Sequence, residues 1–385
     1  MWTRSLDRGR VRAAVRDRDR RWRDSGFIAR RGPAASRVLA ARPALSGIPS
    51  IIDFVPTDMT QPADRSSSTA VRRRLSRDGC TIAWLEAGNP LGQPVVVLHG
   101  GPGSGCGPAM LRGFDLARTH VVLVDQRGAG ASTPRGSLRH NDTARLVGDL
   151  DALRAHLGIA RWGVVGGSWG AALALAYAGQ HPSRVAGVVL RGLFLTSARE
   201  MRGLFAGSRM RAPRAWQQWV AAARAPGADR LLACCARRLQ PGAGAAGQRA
   251  VALAWNAYEA ALLTGRPPRR RRTTPRTVAR LIDKYRIQAH YLQHRCWLGE
   301  RRLLALARRA AQAGVPLWAV HGTHDPVCPA GNVDRLARAV PAAFIERVRA
   351  GHLATDDALA RGVARAVHEM LAIASARAAR GQSRA

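Results

Sequence analysis

Residues 162–179 read Trp-Gly-Val-Val-Gly-Gly-Ser-Trp-Gly-Ala-Ala-Leu-Ala-Leu-Ala-Tyr-Ala-Gly. Trp162–Val165 has the short apolar run of a buried strand, and Ala171–Gly179 has helical composition. Gly166-Gly167-Ser168-Trp169-Gly170 must therefore turn the chain from strand to helix. A serine on so tight a turn takes strained dihedrals, and flanking glycines remove side chains that would collide. The turn lifts Oγ above the sheet edge. It also leaves the next backbone N–H free at a helix N-terminus, whose dipole favours negative charge. Ser168 is the candidate nucleophile. G-x-S-x-G by itself arises by chance in a chain with 39 glycines; its placement between a strand and a helix gives it meaning.

The same alternation extends outward. Val95–Leu98, Val121–Val124, Val185–Leu190, Pro316–Val320 and Ala343–Val348 read as strands, and 141–158 reads as a helix with Asn141 or Asp142 as cap and Gly158 as stop. Strands alternating with helices of this length imply an α/β chain with a mostly parallel sheet flanked by helices. The alternation lapses between about Leu195 and Leu306. That stretch is helical in period and rich in Ala, Arg, Trp and Tyr, as an inserted all-helical domain would be. Arg269–Arg272 within it reads as a solvated connection between helices.

A serine hydroxyl needs a base to take its proton and a carboxylate to orient that base, expected on loops at the carboxyl ends of later strands. Asp325 follows the strand ending at Val320, and His352 follows the one ending at Val348. His181 and His368 lie on or at helix ends, and His290 and His294 lie in the insert. His321 and His324 sit beside the acid, where they shape its loop. His99-Gly100-Gly101-Pro102-Gly103 follows the first of these strands. A tetrahedral oxyanion needs two preorganised donors, and the backbone N–H groups of Gly101 and Trp169 are the candidates.

Composition narrows the class. Hydrophobic residues make up 46% and charged residues 22% of 385, values of a globular chain. No run approaches the roughly 18–20 apolar residues of a membrane span. The net charge of +36 suggests an anionic partner, but the basicity is almost purely arginine, Lys284 being the only lysine, and it is spread along the chain. Nucleic-acid binding, on a hydrolase scaffold that no longer turns over, is the alternative from another class. Residues 1–58 carry Arg-Asp alternation and lack the apolar stretch of a secretory signal. They read as a disordered Arg-rich extension, with Met59 a candidate true start. Cys80, Cys106, Cys234, Cys235, Cys296 and Cys328 show no metal spacing and read as reduced thiols of a cytoplasmic protein. No metal or cofactor is implied.

HGGPG at 99–103, DQRGAGAS at 125–132, GGSWGAALALAYAGQHPSRV at 166–185, LRGLF at 190–194, GTHDPVCP at 322–329 and AGH at 350–352 together resemble the proline iminopeptidases, serine peptidases of the α/β-hydrolase fold. The resemblance runs from about Val71 to the C-terminus. It implies α/β-hydrolase core segments at 70–195 and 306–385, a helical cap at 196–305, and an acyl-enzyme mechanism on Ser168, Asp325 and His352. The implied substrates are short peptides with a free N-terminus, preferentially proline. It further implies cap carboxylates that hold the substrate amine. One matches Glu259 in Trp255-Asn256-Ala257-Tyr258-Glu259, a segment whose spacing also suits a solvated helix face. The family's second carboxylate, in Arg-Ile-Glu-x-His-Tyr, is Gln288 here. Phe194 and Phe205 remain as substrate-facing aromatics. An esterase or amidase of relaxed specificity on the same triad is the second reading.

Overall fold

The computed structural model describes residues 70–266 and 273–382; the expectations for residues 1–58 and Arg269–Arg272 lie outside them. Eight strands form one sheet: β1 (Val71–Arg77), β2 (Cys80–Gly88), β3 (Gln93–Leu98), β4 (Thr119–Asp125), β5 (Trp162–Gly167), β6 (Val185–Arg191), β7 (Leu317–Gly322) and β8 (Phe344–Val348). Their spatial order is β1-β2-β4-β3-β5-β6-β7-β8, antiparallel across β1, β2 and β4 and parallel from β4 through β8. The chain leaves β3 for β4 on one side and later takes up β5 on the other. The carboxyl ends of β3 and β5 thus flank the topological switch, where α/β sheets bind ligands.

The central strands are apolar throughout because both faces are covered. Val96, Leu98, Val122, Val124, Val164, Val188 and Leu190 pack into one cluster with α1 (Thr143–His156), α2 (Trp169–Gln180), α8 (Gly299–Gln312) and α9 (Gly331–Ala339). Val95, Val97, Val121, Leu123, Val165, Val189, Trp318 and Val320 face α10 (Asp357–Gln382). Gly163 and Gly187 let α10 approach closely, since a Cβ on either would lie 2.5 or 2.7 Å from Met370. β2 carries the short apolar run Ile82–Leu85, whereas β1 reads Val-Arg-Arg-Arg-Leu-Ser-Arg and is almost wholly exposed, an edge strand defended by charge.

The inserted stretch is helical as expected: α3 (Ala198–Phe205), α4 (Pro213–Ala223), α5 (Ala228–Arg238), α6 (Ala245–Thr264) and α7 (Pro275–Gln293). They share a second apolar cluster around Trp219, Trp255, Tyr258 and Tyr285, whose rings sit 4.9–5.0 Å apart in sequence of contact. α8 begins inside the segment assigned to the cap, yet Leu303 and Ala307 bury in the main core. Its backbone closes on α2 so tightly that a Cβ on Gly179 would lie 2.5 Å from the Leu306 carbonyl oxygen. α8 thus packs with the main core, as do Ile287, Tyr291 and Cys296 before it. Among the described residues no helix is long and apolar enough to cross a membrane.

Candidate active site

Ser168 stands between β5 and α2 with φ 57° and ψ −119°, a conformation that costs a non-glycine residue about 1–3 kcal/mol and persists only where its surroundings impose it. The surroundings are the glycines of the turn. A Cβ on Gly166 would meet the Gly170 carbonyl oxygen at 2.2 Å, and one on Gly170 would meet that of Leu98 at 2.1 Å. The Ser168 backbone N–H donates to the Arg191 carbonyl at 2.8 Å, while its side chain caps no helical N–H.

Asp325 and His352, 27 residues apart, meet at the ends of β7 and β8: His352 Nδ1 donates to Asp325 Oδ2 at 2.6 Å. Asp325 Oδ1 accepts the backbone N–H groups of Val327 and Cys328, each at 2.8 Å. Burial pushes this carboxyl up, but the His352 imidazole and those N–H donors outweigh it and hold it below the usual carboxylate range. Arg191, at the end of β6, ties the two halves together. Its Nη1 donates to the His352 carbonyl at 2.6 Å, and a Cβ on Gly167 would lie 2.1 Å from its Nη2. Among the described residues the row is closed between acid and imidazole, and the Ser168 hydroxyl makes no hydrogen bond to the ring. Such contacts commonly tighten only with substrate.

The 99–103 loop is locked to the elbow through Gln126. Its backbone N–H donates to His99 Nε2 at 3.1 Å, its amide donates to the His99 carbonyl at 2.9 Å, and its Oε1 accepts Trp169 Nε1–H at 2.8 Å. The backbone N–H groups of Gly101 and Trp169 have no protein acceptor among the described residues. Asp325, Cys328 and His352 each bring a possible ligand atom within 4.8 Å of one another. The first and last are already bonded to each other, however, and burial together with Asp325 pushes the Cys328 thiol well up. The trio is an imidazole–carboxylate pair with a protonated thiol behind it, poor in free anionic donors for a metal.

Glu259 on α6 and Gln288 on α7 are in contact: Gln288 Nε2 donates to Glu259 Oε1 at 2.6 Å. Trp255 Nε1 donates to the same oxygen at 3.0 Å, and the Tyr285 hydroxyl and Lys284 Nζ donate to Oε2 at 2.9 and 3.2 Å. Glu259 is therefore a held carboxylate rather than part of a solvated face. α7 abuts the 99–103 loop, where a Cβ on Gly103 would lie 2.7 Å from the Lys284 carbonyl oxygen. Phe194 packs against both apolar clusters, where cap and core meet. Phe205 is 5% exposed, and its ring lies against Trp219 and Trp255 at 5.3 and 5.7 Å. Arg191, Gln126, Tyr285 and Lys284 had no assigned role. Motif strings contained the first two, but their functions depend on partners far away in sequence.

Two buried histidines give a pH prediction. His99 Nε2 accepts from Gln126, and His321 Nδ1 accepts the Leu193 backbone N–H at 3.2 Å, so both rings are neutral. Burial lowers both pKa values below the ordinary 6.5, against the raising influence of nearby Asp125 and Asp325. A depressed folded pKa means that the unfolded chain binds protons first. The stability from these rings is present above about pH 6.5 and lost as pH falls through the folded values. Tm measured from pH 8 to pH 5 should decline below pH 6.5; a flat profile would contradict the neutral assignment.

The sheet, the switch-point loops and the elbow define an α/β hydrolase, and residues 93–359 match the alpha/beta hydrolase fold family. The fold resembles the haloalkane dehalogenase DbeA-M1 loop variant from Bradyrhizobium elkanii, with TM-score 0.55, 20% identity, and coverage of 81% of this chain and 99% of that one. The chain belongs to the proline iminopeptidase family. It is 38% identical to the proline iminopeptidase of Xylella fastidiosa strain 9a5c over 282 residues, 72% of this chain and 89% of that protein. It is 36% identical to that of Neisseria gonorrhoeae over 293 residues, 75% and 92% of the two.

Proposed function

We propose that the protein is a serine aminopeptidase that releases an N-terminal residue, preferentially proline, from short peptides through an acyl-enzyme. The observation that carries it is the 2.6 Å contact of His352 Nδ1 with Asp325, on loops tied through Arg191 to the strained elbow at Ser168. Ser168 Oγ attacks the carbonyl of the N-terminal residue while His352 Nε2 takes its proton and then delivers it to the leaving amine. Asp325 holds the ring in the required tautomer and stabilises the imidazolium. The N–H groups of Gly101 and Trp169 receive the oxyanion, each worth roughly 3 kcal/mol of transition-state stabilisation. Glu259 anchors the substrate amine, with Gln288 beside it and Phe194 at the seam. Six free thiols support a reducing compartment, the cytoplasm.

One feature favours the second reading, an esterase or amidase of relaxed specificity: Gln288 supplies no charge, and Lys284 already balances Glu259. Assaying a prolyl arylamide beside a short acyl ester separates the two. Arylamide turnover is expected, and ester turnover without it would establish the alternative.

A further inference from the structure

The chain holds 61 lysines and arginines, and the one lysine is Lys284. It stands on the carboxylate assigned to the substrate amine. An ionised carboxylate offers about four acceptor sites, and Glu259 has all of them filled. Trp255 and Gln288 occupy Oε1, and Tyr285 and Lys284 occupy Oε2. Three of the donors are neutral and fixed, for Trp255 and Tyr285 are fully buried and Gln288 nearly so. Burial and Glu259 push the Tyr285 phenol well above its ordinary value, so it stays a donor. The fourth is a cation on a flexible stem, 23% exposed in its side chain and 4.5 Å from the centre of the Tyr285 ring. Next to it the Gln288 Oε1 is buried with no hydrogen-bond partner. A carboxylate, an aromatic face and an ammonium are thus assembled from the chain alone.

We infer that Lys284 is a specificity-determining residue: its ammonium occupies the acceptor site on Glu259 that the substrate's N-terminal ammonium requires, and a cationic N-terminus binds only by displacing it. The inference rests on Glu259 being the amine anchor. Lysine suits the role because its ammonium is a compact charge on a mobile chain. An arginine fork would hold the carboxylate through two parallel bonds and yield less readily. In a chain with arginine at every other basic position, the lysine is the displaceable choice. When it leaves, Trp255, Tyr285 and Gln288 keep the carboxylate oriented, and the incoming N–H finds Oε2 vacated and Gln288 Oε1 unpaired.

The test is KM and kcat for a prolyl arylamide in the wild type and in Lys284→Met, Lys284→Gln and Lys284→Arg, with Tm confirming the fold of each. Removing the competitor should lower KM about tenfold in both neutral variants, and arginine should raise it. kcat should move by less than about threefold, because the change lies in ground-state binding. KM unchanged or raised in both neutral variants, with arylamide turnover in all four proteins, would overturn the inference alone. No arylamide turnover in any of the four, with ester turnover retained, would overturn the functional reading and the inference together.

Discussion

Ser168→Ala is expected to lower kcat on the prolyl arylamide by on the order of 10⁴- to 10⁶-fold, the usual range when a triad's nucleophile is removed and the rest of the machinery stays. The loss should come without unfolding. The hydroxyl caps no N–H of α2, and alanine keeps the Cβ whose clashes define the strained turn, so stability should change by less than about 1 kcal/mol. Ser168→Gly separates strain from chemistry. At φ 57° and ψ −119° glycine relieves about 1–3 kcal/mol of strain and gives back about 0.5–1 in unfolded-chain entropy. That variant should be equally inactive and yet melt higher than the wild type. Activity of Ser168→Ala within tenfold of the wild type would remove Ser168 from the mechanism.

The second large effect is on folding. Arg127 directly follows Gln126 and is 1% exposed. Its Nε and Nη2 donate to the two oxygens of Asp149 at 2.5 and 2.7 Å, and its Nη1 donates to the His140 carbonyl at 3.2 Å. A buried pair of this geometry is strongly destabilising to break, because the surviving cation keeps only the more exposed Asp78, 3.2 Å from Nη2, and cannot reach water. Asp149→Ala should therefore cost about 3–5 kcal/mol, a large share of the 5–15 kcal/mol available to a typical domain. Adding Arg127→Met should recover part of the loss, since it removes the stranded cation. Denaturant midpoints at constant m-value would show both steps; a single mutant within about 1 kcal/mol of wild type would mean that Asp78, 3.2 Å from Arg127 Nη2, or solvent relieves the stranded cation. The same variant should slow turnover, because Gln126 next to Arg127 holds both the 99–103 loop and Trp169.

The legible parts of this protein were those whose cause is local. β3 to β7 were readable because buried parallel strands are short apolar runs, and α1 because its period and its Asp142 cap, which accepts the Arg145 N–H at 2.9 Å, sit next to each other in the chain. β1 was not legible because this exposed edge strand is chosen by what it pairs with, not by its own composition. α8 is as Arg- and Ala-rich as the cap helices, and only its packing on α2 tells it apart. An aromatic residue such as Phe205 looks alike in sequence whether it lines a cleft or fills a cap.

The order of residues along the chain was enough to define the elbow, the layered α/β plan and the three side chains assigned to the chemistry. Steric limits on a strand-to-helix turn and the burial of apolar runs act over a few neighbouring positions. Who occupies Glu259 was settled by tertiary contact alone. Charge balance in a half-buried pocket depends on donors from two separate helices, 25 to 29 residues apart, and no local pattern records which of them arrive first.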